Sequence, residues 1–162
     1  IHLTKKLPSN LESQVKLKVA TKRRSLIEAN HTGTHLLHQA LRNILGDHVE
    51  QRGSMISDEM FRFDFSHPSK LSSSDLHSIN SFVNSKIKES IPLVENREED
   101  YETAINNGAI GLFTEKYEDK VRTVKFDESY ELCGGTHAKN TSKLKTFSII
   151  SEVSQALSLI HI

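Results

Sequence analysis

The sequence predicts an α+β fold, a mainly antiparallel sheet packed with helices. Three observations carry this. Met60 to Phe65 alternates apolar and polar residues with the period of a strand, and Leu76, Ile79, Val83 and Ile87 keep helical spacing. Strand and helix patterns then follow one another without the regular alternation that a parallel sheet requires. The 162 residues make one domain or slightly more, enough to bury a real core. Lys plus Arg and Asp plus Glu are 21 each, so the net charge is zero and any RNA contact has to be local. With 26% charged and 36% hydrophobic residues the chain is globular rather than disordered. No apolar run approaches the roughly 20 residues of a membrane span. The N-terminus carries no charged-then-apolar leader, and the expected location is the cytoplasm. The single cysteine, Cys133, cannot close an internal disulfide, which leaves it to be a ligand, a nucleophile or a buried thiol.

Taken in order, Val15, Leu17 and Val19 alternate with lysines after a turn signal at Pro8-Ser9-Asn10, predicting a short strand. Residues 1–22 are read as the remnant of a preceding small β unit or a linker, so that the chain is a fragment. A short turn of helix runs through Ile27, and Asn30 is expected to N-cap a second helix that Gly46 closes. His48 to Ile56 is extended with a turn or bulge at Gly53. In the strand from Met60, Phe61, Phe63 and Phe65 share one face and Arg62 and Asp64 the other, as a solvent pair or as cleft-facing groups. Ser72-Ser73-Ser74-Asp75 caps the next helix, which is expected to pack on a sheet. Short strands are predicted at Ile91–Val94, Val121–Phe126, Tyr130–Cys133 and, as the last, Phe147–Val153. An acidic helix is predicted from Glu98 to Asn106, ended by Gly108.

The chemistry gathers in two places. At 100° per residue His31, His35 and His38 fall within about 40° of one another on the helix, while Leu37, Leu41 and Ile44 centre roughly 120° away. The helix can therefore pack by one side and present imidazoles from the other. About a hundred residues later Cys133 and His137 form a second pair in a glycine loop at a strand end. Zinc accepts imidazole nitrogen and thiolate sulfur in a tetrahedron, and two such pairs point to one Zn²⁺ held by His31, His35, Cys133 and His137. The residues between the first two histidines include no glutamate, which argues against a zincin-type peptidase. Four protein ligands normally mean a closed site, so the metal is read as orienting a substrate or joining two halves of a pocket; His38 is read as a supporting or packing residue.

Asn30-His31-Thr32-Gly33-Thr34-His35-Leu36-Leu37-His38, His48 to Ser54, Arg62 to His67 and Glu131-Leu132-Cys133-Gly134-Gly135-Thr136-His137 together resemble the editing domain of alanyl-tRNA synthetases. Glu115-Lys116-Tyr117 and Val121-Arg122 add to the likeness, which runs over 23–153. It is similar to free-standing editing proteins and to part of threonyl-tRNA synthetase, and Gly-Gly-Thr favours the alanyl branch. The resemblance implies deacylation of seryl- and glycyl-tRNA for alanine, with tRNA and the remainder of the synthetase chain as partners and neither DNA nor membrane. It implies His31, His35, Cys133 and His137 as zinc ligands and Thr34 and Gln51 in the substrate pocket. The backbone N–H groups around Gly134 and Gly135 are candidates for the oxyanion, since glycine lets backbone approach a ligand closely. Arg24, Lys139, Lys143 and Lys145 are candidates for phosphate contacts near the acceptor end, with solvated surface charge the alternative. A non-catalytic zinc-stabilised tRNA-binding module and a threonyl-type editing domain are the competing readings. No class II synthetase motif or ATP site is present in these residues.

The chain departs from the family in places. Thr141-Ser142-Lys143-Leu144-Lys145 stands where the family carries Thr-Gly-x-Ile-Gly, Gly33 stands where alanine is common, and Thr114, Glu118 and Asp119 replace glycines. Residues 154–162 are a tail without family likeness. Within it Leu157-Ser158-Leu159-Ile160-His161-Ile162 matches one reading frame of a transposon-end adapter used in preparing sequencing libraries, and is read as an artefact.

Overall fold

The computed structural model of the chain describes residues 10, 14, 16–112, 117–155 and 159–162. Helix α1 runs unbroken from Thr21 to Leu45, not as two helices meeting at Asn30. Asn30 caps nothing because it lies inside this helix, where its side-chain amide nitrogen donates to the Ser57 carbonyl at 2.9 Å. Gly46 ends α1 as expected, at a φ of 117° that favours glycine, its N–H donating to the Arg42 carbonyl.

Strands β1 (Gln51–Ile56) and β2 (Phe61–Ser66) form an antiparallel hairpin with a bulge between Gln51 and Gly53. Arg62 and Asp64 are a bidentate ion pair: Nε and Nη2 donate to the two carboxylate oxygens at 2.8 and 3.0 Å. Helix α2 (Ser73–Lys88) opens on a capping box. The Asp75 N–H donates to the Ser72 hydroxyl, and the Ser72 N–H returns a bond to the Asp75 carboxylate. It packs against α1 rather than directly on a sheet, because α1 itself covers β1 and β2.

The acidic segment is a strand before it is a helix. Strand β3 runs Val94–Asp100 and only then α3, Tyr101–Asn106. Glu99 is held in the sheet by hydroxyl donors from Thr123 (2.6 Å) and Tyr130 (2.9 Å), and Asp100 caps α3. Strands β4 (Lys120–Phe126) and β5 (Ser129–Leu132) complete a three-stranded antiparallel sheet in the order β3-β4-β5.

A 3₁₀ turn follows at Thr141–Leu144. The strand expected at Phe147–Val153 does not form, since amide side chains of α2 take its backbone groups. Asn84 donates to the Phe147 carbonyl at 2.8 Å and accepts its N–H at 3.0 Å, while Asn80 accepts the Ile149 N–H. Strands β6 (Val153–Gln155) and β7 (Leu159–His161) join the hairpin in a four-stranded antiparallel sheet, β1-β2-β7-β6. The main core lies between the elements, with Leu37 and Leu41 of α1, Phe63 and Phe65 of β2, and Ile79 and Val83 of α2 fully buried. Each such side chain is worth about 1.5–3 kcal/mol in burial.

Residues 16–20 form no strand, and Leu17 and Val19 are exposed. Val15, the Pro8-Ser9 turn, Thr114, Glu115-Lys116 and Leu157-Ser158 lie outside the described residues. The architecture is therefore α+β with antiparallel sheets, as the sequence predicts.

Candidate metal centre

Helix α1 and the loop after β5 bring together the four predicted ligands. One donor atom from each of His31, His35, Cys133 and His137 lies within 4.8 Å of the others. The Cys133 Sγ is 3.6 Å from the His31 Nε2 and 3.3 Å from the His137 Nε2. A tetrahedral zinc with ordinary Zn–S and Zn–N bonds needs a sulfur–nitrogen edge of about 3.6 Å. The donor set fits zinc in chemistry and in size.

His31 and His137 are each oriented by a hydrogen-bond partner at the other ring nitrogen, as metal-ligating histidines usually are. The His31 Nδ1 faces the Thr136 carbonyl at 3.1 Å. A carbonyl can only accept, so Nδ1 carries the proton and the Nε2 lone pair is free for a metal. The His137 Nδ1 is 3.2 Å from the Thr32 hydroxyl, which also accepts the Ala138 N–H at 3.1 Å. The His35 Nδ1 is 3.5 Å from the Glu131 carboxylate. Burial lowers all three histidines, His31 to about 4, with the neighbouring charge of His35 adding to the effect on the other two. They are neutral imidazoles at neutral pH, the form that ligates. Burial pushes the Cys133 thiol up, and the Gly135 N–H donating to its sulfur at 3.4 Å pulls the other way.

Arg122 of β4 clamps the ligand loop. Its Nη1 donates to the carbonyls of Cys133 (2.7 Å) and Gly135 (2.6 Å), while Nε and Nη2 grip Glu95.

Beside the cluster lies a cleft of about 470 Å³. His31, His35, Thr34, Gln51, Cys133 and Gly134 line it, with Ser54, Leu112, Tyr117 and Lys120 on the remaining walls. Thr34 donates its hydroxyl proton to the His31 carbonyl at 2.7 Å, so its oxygen meets a ligand as an acceptor. Gln51 donates to the Ser54 hydroxyl at 3.3 Å. Of the two glycines, Gly134 lines the cleft and Gly135 packs against the His31 ring. The predicted phosphate contacts are dispersed: Arg24 is exposed on the first turns of α1, Lys139 points at Glu95, and Lys143 and Lys145 are exposed on the 3₁₀ turn and its end.

Glu131, Thr32 and Arg122 are the residues to which sequence reasoning gave no role. The signal for Glu131 was available, since two residues along a strand it shares a face with Cys133.

A helix and a sheet-end loop that bring three imidazoles and a thiol together beside a cleft define an α+β domain with a candidate metal site. Residues 121–162 match the family described as threonyl and alanyl tRNA synthetase second additional domain. The alanine–tRNA ligase of Christiangramia forsetii is 52% identical over 152 residues, 94% of this chain and 18% of that protein. That of Cytophaga hutchinsonii is 48% identical over 158 residues, 96% and 18% respectively, and that of a Thermoanaerobacter species 49% over 144 residues, 88% and 16%. The family match thus covers the last quarter of the chain, and nearly the whole chain is similar to one part of alanine–tRNA ligases. It spans less than a fifth of the length of these curated relatives. No helix among the described residues is long and apolar enough to cross a membrane.

Proposed function

We propose that the chain is the editing part of an alanine–tRNA ligase, hydrolysing the ester of seryl- and glycyl-tRNA for alanine in the cytoplasm. The observation that carries this is the cluster of His31, His35, Cys133 and His137, of which His31, His35 and Cys133 line a cleft that also holds Thr34 and Gln51. Chemistry supplies the need. A pocket built for a methyl group cannot exclude glycine and rejects one added hydroxyl only weakly, so a ligase for alanine requires a second site.

Zinc held by these four ligands supplies a fixed positive charge and ties α1 to the β5 loop. The chain's own residues do the selecting. Thr34, with its proton committed to the helix, accepts from the hydroxyl of a seryl group and offers a methyl side chain nothing. The Gly134 N–H is a donor for the developing oxyanion. Arg24, Lys139, Lys143 and Lys145 are separate candidate contacts for phosphates of the acceptor end, and the remainder of the synthetase holds the rest of the tRNA.

The test is hydrolysis of seryl-, glycyl- and alanyl-tRNA for alanine by the purified chain, with zinc quantified in the same sample and Cys133→Ala as control. Selective loss of the seryl and glycyl esters, abolished in the control, is expected. Stoichiometric zinc with no hydrolysis overturns the reading in favour of a zinc-stabilised tRNA-binding module, which the closed four-ligand set also supports.

A further inference from the structure

Glu131 is a buried carboxylate, 3% exposed, whose ion-pair partners among the described residues are two histidines and no lysine or arginine. One oxygen lies 3.5 Å from the Nδ1 of His35, and the other accepts the Nδ1–H of His38 at 3.1 Å. Burying a carboxylate costs several kcal/mol unless a cation repays it. A structural role alone does not call for the charge, since a glutamine of the same size fills the same space.

Two further observations say where the cation is. The His35 Nδ1 has no hydrogen-bond partner among the described residues, although its ring belongs to the ligand cluster. The two other cluster histidines are each oriented by a neutral oxygen, from Thr136 and Thr32. Glu131 is thus the one anionic partner.

We propose that Glu131 is a positioning residue for the metal centre. It acts through His35, turning the imidazole so that Nε2 faces the metal and neutralising the charge brought in, while His38 holds the carboxylate in place. This rests on the zinc reading given above. His38, the third histidine of the α1 face, then has a task without being a ligand.

Zinc affinity decides the matter, measured on the full chain by competition with a chromogenic chelator, with the absorption bands of the Co²⁺-substituted protein as a second readout. Glu131→Gln is expected to weaken zinc binding by about 10- to 100-fold and to shift the Co²⁺ bands. His38→Leu is expected to weaken it in the same direction, and His38→Asn, which keeps an N–H donor toward the carboxylate, to restore the native affinity. Native affinity in Glu131→Gln overturns the proposal. If that variant does not fold, the His38 pair decides: equal affinities in His38→Leu and His38→Asn overturn it. A native chain that takes up no zinc overturns the metal reading itself, a separate result from native zinc binding that Glu131→Gln leaves untouched.

Discussion

Gly135 lies so close to His31 that a Cβ on it would sit 2.1 Å from Cε1 and 2.7 Å from Nδ1 of the ring. Gly134, one residue earlier, has open space within 4 Å of the same position. Neither has a positive φ, so alanine is conformationally acceptable at both and the difference is contact alone. Gly135→Ala has to displace a ligand. Overpacking of about 1–3 kcal/mol predicts roughly a fivefold to hundredfold loss of zinc affinity, against none for Gly134→Ala. Chelator competition on the two variants checks this.

Arg122 makes four charge-assisted bonds in two directions, which the planar guanidinium permits and a lysine ammonium does not. Arg122→Lys is expected to lose about 1–3 kcal/mol of stability and to bind zinc more weakly, because the ligand loop loses its clamp. Urea unfolding with and without zinc measures both.

The hydrogen bonds from Arg122 hold the Glu95 carboxyl below its ordinary value of 4.5, against the opposing effect of burial. A depressed folded value means that the unfolded chain binds more protons in this window. The pair's contribution is therefore complete above about pH 4.5 and is lost as pH falls through the lower folded value. Glu95→Gln is expected to flatten the acid limb of the stability profile while lowering stability at neutral pH. A denaturation series from neutral to acid pH, run without metal, gives the slope.

Lys145 sits at φ 64° and ψ −62°, and the Thr146 N–H donates to the Leu144 carbonyl at 2.8 Å across it. That is a γ-turn of the strained hand at a side-chain-bearing residue. Relief of about 1–3 kcal/mol of backbone strain outweighs the roughly 0.5–1 kcal/mol entropic cost of glycine. Lys145→Gly is expected to raise the urea midpoint, and an unchanged or lower one removes the strain argument.

Thr34→Val keeps shape and removes the acceptor. One hydrogen bond of about 1 kcal/mol predicts roughly a fivefold drop in seryl-tRNA hydrolysis with the glycyl rate unaffected. Parallel rates on the two esters would separate a specificity role from a general loss.

Local patterns were legible in the chain where local forces decide. Ser72 and Asp75 announced their helix because capping is made within one turn, and Phe61, Phe63 and Phe65 announced their strand by period. The four residues of the candidate metal site were legible as a group because few side chains can replace imidazole and thiolate. What the sequence hid depends on partners far along the chain. Asn30 reads as a cap, yet α1 runs through it from Thr21 and its amide bridges to Ser57, and Glu99 reads as helical until Thr123 and Tyr130 hold it in a sheet. Phe147 to Val153 has strand composition, yet Asn80 and Asn84 claim its backbone. Glu131 stood in a recognised motif without a role, because its role lies on α1.

The bond between Thr32 and His137 spans 105 residues, and the metal site is assembled across the same separation. On the zinc reading proposed above, occupancy and folding are one equilibrium: bound zinc would add RT ln(1 + [Zn]/Kd) to the stability of the fold, and a chelator would act as a denaturant. The same span orders events during synthesis. A nascent chain holds only half a site until His137 has left the ribosome, so metal capture reports that α1 and the β5 loop have already met.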